Sequence, residues 1–75
     1  MSATPTISAR TLMKALRRLG FIQTRSRGSH RRFEHPDGRK TTVPVHQGKD
    51  IPRGLLRQIV IMDLGMDMDE FAALL

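Results

Sequence analysis

The first apolar pattern along the chain has the spacing of an amphipathic helix. Leu12, Leu16 and Leu19 recur at intervals of three and four residues. Ser8 is suited to cap the start of this helix, and Gly20 is suited to end it. The positions between the apolar residues are rich in basic side chains: Arg10, Lys14, Arg17 and Arg18. The pattern therefore predicts a helix with one apolar face and one basic face.

Three extended segments follow, and the residues between them are typical of turns. The first opens at Phe21 and is interrupted over residues 25–29. The second covers residues 30–35 and ends in Pro36-Asp37-Gly38, a strong turn signal. The third runs from Lys40 to His46 and contains Pro44, which cannot donate a hydrogen bond to a β ladder. We therefore expect the third strand to lie at a sheet edge or to carry a bulge at Pro44.

The C-terminal part predicts two further helices. Asp50 is a candidate N-cap, Pro52 suits a first helical turn, and an apolar stripe continues to a stop at Gly65. Asp67 and Glu70 have the spacing of a capping box for a short last helix. The order predicts an α+β fold in which one face of a three-stranded antiparallel sheet packs against helices. Residues 1–75 are expected to form one domain, with residues 1–6 as a flexible lead.

Strand parity separates the three histidines, because side chains alternate between the two faces of a strand. Phe33 must face the core, so His30, three positions away, faces the open side of the sheet. His46 also faces outward, because it follows Val45, whereas His35 lies on the core side and is expected to be structural. Pairing Phe33 with Val43 would set His30 directly opposite His46. The same open face would carry Arg32, Glu34, Lys40 and Thr42.

Charge indicates a polyanionic partner. The chain has a net charge of +6, and all thirteen basic residues lie between Arg10 and Arg57 beside only three acids, a local net charge of +10. Most of these bases are arginine, which pairs with phosphate through two hydrogen bonds. No cysteine is present, which excludes disulfides and thiolate metal sites. No apolar run could span a membrane and no secretory signal is evident, so we expect a cytoplasmic protein without a membrane partner.

The open face has side chains suited to cleaving RNA. Attack by a ribose 2′-hydroxyl requires one proton to be removed and another to be donated, and histidine suits both roles near neutral pH. Arginine stabilises the charge that develops on the phosphate. His46 and Glu34 are candidates for the second proton-transfer group. Metal binding is not expected, because parity separates His35 from the other two histidines.

Two loops add candidates for binding phosphate. Gly28 permits close backbone approach to a phosphate, although a simple loop is the favoured interpretation. Lys49 and Arg53 flank the predicted start of the second long helix, where free amides and the helix dipole attract anions.

Four segments together resemble the HicA mRNA interferase family. They are Leu16-Arg17-Arg18-Leu19-Gly20-Phe21, Gly28-Ser29-His30-Arg31-Arg32-Phe33, Val43-Pro44-Val45-His46, and Gly48-Lys49-Asp50 ahead of Gly54. The resemblance implies a double-stranded-RNA-binding-domain-like fold with the helix, three-strand, helix order. It also implies a ribosome-independent endoribonuclease that cleaves mRNA, the toxin of a type II toxin–antitoxin pair. No metal is required if the ribose 2′-hydroxyl is the nucleophile, and we expect no cofactor and no small-molecule ligand. A cognate HicB antitoxin would mask its site.

The resemblance assigns catalysis to His30 and leaves the other roles as expectations from the residues. The supporting residues expected around His30 are Gly28, Ser29, Arg32 and His46. The residues expected to bind RNA are Lys14, Arg17, Arg18, Arg27, Arg31, Lys49 and Arg53. A non-catalytic RNA-binding module remains an alternative, and so does a DNA-binding regulator, which the lack of a helix-turn-helix pattern disfavours. Only the endoribonuclease interpretation predicts strand scission.

Overall fold

A computed structural model describes residues 6–75 of the chain. The elements are α1 (Ala9–Arg18), β1 (Ile22–Arg27), β2 (His30–Glu34), β3 (Lys40–Pro44), α2 (Arg53–Gln58), a π-helical segment (Ile59–Asp63) that continues α2, and α3 (Met68–Ala72). This order confirms the α+β fold with a short additional C-terminal helix. Residues 1–5 of the expected flexible lead lie outside the described residues, while Thr6 accepts a hydrogen bond from Arg53 Nε at 3.2 Å.

Both ends of α1 are closed by the residues that the sequence predicted. Ser8 Oγ accepts from the Thr11 backbone N–H at 3.1 Å. At the other end Gly20 has a φ of 98°, and the Phe21 N–H donates to Leu16 O at 2.9 Å. This pairing is a Schellman motif, in which a left-handed glycine satisfies carbonyls that the helix leaves free. Phe21 is consequently turned into the core, where it is buried.

The three strands form one antiparallel sheet in the order β1-β2-β3, so β3 is an edge strand as Pro44 predicted. The register, however, differs from the expectation by two residues. Phe33 pairs with Thr41 and His30 pairs with Pro44, so the expected pairing of Phe33 with Val43 was wrong. The hairpin loop still has three residues, but they are Pro36-Asp37-Gly38, closed by the His35 N–H donating to Arg39 O at 2.8 Å. A shift of two residues preserves strand parity, so the same side chains face the core.

β1 is longer than the sequence suggested, because residues 25–27 continue the strand instead of interrupting it. Arg27 pairs with His30, which leaves Gly28-Ser29 as a two-residue hairpin loop. Gly28 has a φ of 57°, and a glycine in that conformation at the first loop position is typical of a type II′ turn. Every residue of β1 is exposed. Its positions on the helix side, Gln23 and Ser26, are polar and add nothing to the core.

Of the two C-terminal helices, α2 begins at a different residue from the one expected, whereas α3 begins as expected. Asp50 does not cap α2, because it forms an isolated bridge with Ser8, and Pro52 occupies the N-cap position without a side-chain bond. The helix therefore starts at Arg53, where the chain has turned away from that bridge. The capping box at α3 is confirmed: Asp67 Oδ1 accepts from the Glu70 N–H at 2.7 Å, and Glu70 Oε1 accepts from the Asp67 N–H at 3.1 Å.

The core lies between the helices and one face of β2 and β3. Its fully buried members include Leu12, Leu16, Phe33, Val43, Leu56, Ile59, Val60, Leu64 and Phe71. Thr41 is buried beside them, and its hydroxyl donates to Asp63 Oδ2 at 2.9 Å. Burial of these side chains is the main favourable contribution to folding. Within residues 6–75 we find no helix of sufficient length and apolarity to cross a bilayer.

Candidate nuclease face

The outer face of the sheet is the candidate site, and the register defines which side chains it carries. Residues directly opposite in an antiparallel sheet share a face. Phe33 and Thr41 form one pair on the helix side, so the adjacent pairs point outward. We call this outward surface the open face. Its members on β1 are Ile22, Thr24, Arg25 and Arg27, those on β2 are His30, Arg32 and Glu34, and those on β3 are Lys40, Thr42 and Pro44.

His30 is the first residue of β2 and is exposed on the open face, as parity predicted. It lies directly opposite Arg27 of β1 on one side and Pro44 of β3 on the other. His46 is not its partner, because the two-residue change of register places His46 past the end of β3. The backbone just after β3 stays close to the start of β2, because the Val45 N–H donates to Ser29 O at 2.6 Å. His46 thus follows the strand end next to His30 but is not paired with it.

Arg32 and Glu34 lie two and four residues beyond His30 on the same face. Arg32 Nε lies 3.8 Å from Glu34 Oε2, and Thr24 Oγ1 donates to that same oxygen at 3.0 Å. Thr24 reaches Glu34 because β1 bulges between Gln23 and Arg25. Both charged side chains remain about two-fifths exposed. Glu34 therefore already has two partners within the fold, and Arg32 is the charged group between it and His30.

The turn before His30 has a clear structural role. The Gly28 carbonyl accepts from Arg31 Nη1 at 2.6 Å, and the Ser29 carbonyl accepts from Val45. Arg31 is paired with buried Val43, so its side chain lies on the helix side of the sheet. From there its guanidinium binds the turn at Gly28. Gly28 and Ser29 consequently determine that β2 begins at His30. Arg31 lies on the opposite face of the sheet from His30.

The basic residues of α1 are also on the helix side. The Arg17 guanidinium lies 5.5 Å from the centre of the Phe33 ring, a cation–π contact, and Arg18 Nη1 donates to Leu74 O at 2.8 Å. Lys14 is exposed. The residues expected to bind RNA thus divide between two sides, with Arg27 beside His30 and the α1 residues behind the sheet. Lys49 and Arg53 are exposed in and after the loop that follows β3.

The model of a family described as HicA toxin of bacterial toxin-antitoxin matches residues 9–66 of the chain. The chain belongs to the HicA toxin family. Membership of a toxin–antitoxin family implies a cognate antitoxin as partner. No curated protein matched the chain in a sequence search. The family match begins with α1 and ends before α3, so this HicA toxin carries its last helix outside the matched region.

The third histidine of the HicA toxin has the structural role that parity indicated. His35 Nε2 lies 3.0 Å from Leu19 O, and Nδ1 lies 3.0 Å from both the backbone nitrogen and Oδ1 of Asp37. The ring also contacts Phe21 edge-on. Beside it, the Arg39 backbone N–H and then its guanidinium bind the Asp37 carboxylate, which holds the pKa of Asp37 below its usual value. Among residues 6–75, no group of three His, Asp or Glu side chains is placed to hold a metal ion.

Sequence reasoning did not include Arg25 in the site. Arg25 is exposed on the open face and pairs with Arg32. The signal was present in Gly28-Ser29, a dipeptide typical of two-residue hairpin loops. If this dipeptide is the hairpin loop, β1 continues through residues 25–27. Arg25 and Arg27 then lie on the same face of the sheet as His30.

Proposed function

We propose that this HicA toxin is a metal-independent endoribonuclease that cleaves mRNA, with His30 transferring a proton at the cleaved phosphate. The observation that carries the proposal is the position of His30, exposed on the open face with Arg27 directly opposite and Arg32 two residues further along β2. An imidazole beside guanidinium groups combines a proton-transfer group with cations that stabilise a phosphorane-like transition state.

The proposed reaction uses the substrate's own 2′-hydroxyl as nucleophile. The 2′-oxygen bonds to phosphorus and releases its proton to a base, while the bond from phosphorus to the 5′-oxygen breaks and that oxygen accepts a proton from an acid. The products are a 2′,3′-cyclic phosphate and a 5′-hydroxyl, so no metal-activated water is needed. His30 performs one of the two proton transfers. For the other, His46 is the better candidate, because Glu34 is bound by Thr24 and Arg32.

RNA binding is supported by the uneven distribution of the exposed bases. Arg25, Arg27 and Lys49 are exposed and make no side-chain hydrogen bond within the described residues, so their charges are available to phosphates. Arg17, Arg18 and Arg31 have partners in the chain. We therefore assign the main phosphate contacts to the open face and the loop after β3, and a lesser role to α1.

The proposed antitoxin is a HicB protein that covers the open face. Family membership supports a cognate antitoxin, and the cluster of unneutralised arginines around His30 favours an acidic surface as its counterpart. Covering this face would block access of RNA to His30 without any change in the fold of the toxin. RNA and antitoxin should then compete for the toxin.

The test is incubation of purified protein with labelled RNA in excess EDTA. Wild type should cut the RNA, and His30→Ala should cut it about 100- to 10,000-fold more slowly, the usual contribution of a general acid or base. Gln58→Ala, an exposed change on α2, serves as the matched control and should cleave like wild type. An RNA with 2′-O-methyl groups throughout should bind but remain intact.

Intact RNA with wild type in EDTA would rule out the metal-independent reaction, and equal cleavage by His30→Ala would rule out His30. Binding without cleavage by every variant would instead support the non-catalytic RNA-binding module. Growth arrest on expression, relieved by the antitoxin and absent for His30→Ala, tests the toxin function in cells.

A further inference from the structure

A cleft lies between the start of α1 and the loop that follows β3, the edge strand whose Pro44 pairs with His30. It is an open groove with a volume of about 430 Å³. We call it the loop cleft; its polar lining residues are Ser8, Arg10, His46, Gln47, Lys49 and Asp50. The volume suits a single nucleotide unit better than an isolated ion.

Backbone contacts hold the loop cleft in place at both ends. The Val45 N–H donates to Ser29 O at 2.6 Å, which joins the start of the loop to the residue before His30. The Ile51 N–H donates to Ile7 O at 2.8 Å, which joins its end to the chain just before α1. Between these points Gly48 has a φ of 75° and the Lys49 N–H donates to His46 O, so the loop is a closed turn. The cleft therefore has defined walls and a fixed position relative to His30.

The charged side chains of the cleft and the imidazole of His46 are not used by the fold. Arg10, His46, Lys49 and Asp50 are exposed, and within residues 6–75 none of their side chains takes part in a hydrogen bond or ion pair. Another cavity, of about 210 Å³, differs because Arg18, one of the two cations that line it, already donates to Leu74 O. In the loop cleft, by contrast, every charged side chain remains free of such bonds within residues 6–75.

The cleft is also within reach of an RNA strand bound at His30. His30 pairs with Pro44, and His46 follows two residues later. Two residues of extended chain span about 7 Å, a distance comparable to one nucleotide step. A strand whose scissile phosphate lies at His30 would therefore place its next nucleotide at the cleft.

We propose that the loop cleft is the subsite for the nucleotide next to the scissile phosphate, an inference that rests on the proposed nuclease function. Lys49 and Arg10 bind its phosphate. Asp50 and Gln47 bond to its ribose hydroxyls and base, because a carboxylate accepts from hydroxyls and an amide both donates and accepts. The carboxylate is the reason to expect a nucleotide, since Asp50 would oppose a bare anion.

The first test uses amide NMR of the wild-type protein titrated with adenosine 5′-monophosphate and, separately, with inorganic phosphate. The nucleotide should shift the amides of residues 9–10 and 46–50, with an affinity at least about tenfold higher than that of phosphate. Absence of shifts at these residues would overturn the proposal. Equal affinities would overturn it too, because they would indicate an adventitious anion only.

The second test measures binding of an unmodified RNA oligonucleotide as a function of salt. It uses the His30→Ala protein, and each further change is made in that background, so that the RNA is not cut and keeps its ribose 2′-hydroxyls. Lys49→Gln should raise the Kd about tenfold at low salt and reduce the slope of log K against log salt by about 0.7, the loss of one phosphate contact on a single strand. The matched control is Arg57→Gln, which removes one exposed positive charge of α2 outside the cleft and the open face. Equal effects of the two variants would contradict the subsite.

Failure of this proposal can be distinguished from failure of the nuclease function. If wild type cuts RNA and His30→Ala does not, while Lys49→Gln behaves as Arg57→Gln, the reaction stands and the subsite is wrong. If wild type does not cut RNA, the nucleotide titration still decides whether the cleft binds a nucleotide.

Discussion

His30 and Arg27 face each other across the β1–β2 ladder as the last pair before the turn. The turn has only two residues, and Gly28 supplies the left-handed conformation that it requires, with a φ of 57°. A two-residue turn pairs the residue just before it with the residue just after it. Gly28-Ser29 therefore determines that the guanidinium of Arg27 lies opposite the imidazole of His30. Arg27 is therefore the cation whose position relative to His30 is best defined.

Arg27→Gln should slow RNA cleavage about 10- to 100-fold at saturating RNA. A charge-assisted hydrogen bond to the transition state is worth about 1.5–3 kcal/mol, and glutamine keeps polarity while removing the charge. Single-turnover rates on labelled RNA would measure the effect. Arg57→Gln carries the same loss of charge far from the open face and should stay within about twofold of wild type. Comparable losses in both variants would mean that only the net charge matters.

Gly20→Ala and Gly28→Ala should differ in their cost to stability, although both glycines have positive φ. A Cβ on Gly20 would lie 3.0 Å from His35 Nε2, the atom that bonds Leu19 O, whereas a Cβ on Gly28 would meet nothing within 4 Å. We expect a loss of about 2–3 kcal/mol at Gly20, from backbone strain plus the disturbed hydrogen bond, and about 1 kcal/mol at Gly28. Urea unfolding of the two variants measures this, and equal losses would contradict the role given to His35.

The elements of the fold and the side of the sheet on which His30 lies were predictable, because they depend on local signals. Leucine spacing, caps and the Schellman glycine determine α1, and strand parity requires only that Phe33 be buried. The register was not predictable from parity. Pairing Phe33 with Thr41 or with Val43 buries the same side of β2, and only the conformation of the Pro36-Asp37-Gly38 turn distinguishes the two.

Features that depend on tertiary contacts were missed for a related reason. Asp50 has the sequence of an N-cap, but its bridge to Ser8 holds it in an extended conformation before the helix begins. Residues 25–27 are polar on both faces, so no alternation identified them as a strand. The loop cleft brings residue 10 beside residues 46–50, and only the folded chain shows that juxtaposition.

Acid should destabilise the β2–β3 hairpin through Asp37. The pKa of this carboxyl is lowered in the folded chain, chiefly by the Arg39 backbone N–H, so ionisation of Asp37 stabilises the fold. That contribution is present above the unfolded pKa of about 3.9 and is lost as the pH falls through the lower folded value. Asp37→Asn should therefore reduce the fall in Tm between pH 5 and about pH 2.5, measured by thermal unfolding. An unchanged fall would show that the bond to Arg39 adds no pH-dependent stability.

Phe71 should be essential to the stability of the domain even though it lies beyond the residues that match the HicA family. Its side chain is fully buried against the core, and α3 is held by its own capping box. Phe71→Ala should cost about 3–5 kcal/mol, a large part of the 5–15 kcal/mol typical of a domain. Met62→Ala removes a side chain that is 73% exposed and should change the free energy of unfolding by less than about 0.5 kcal/mol. If both variants unfold at the same urea concentration as wild type, the C-terminal segment is an appendage. If only Phe71→Ala is destabilised, α3 is part of the core, and the Arg18 bond to Leu74 O is one contact that joins it to α1.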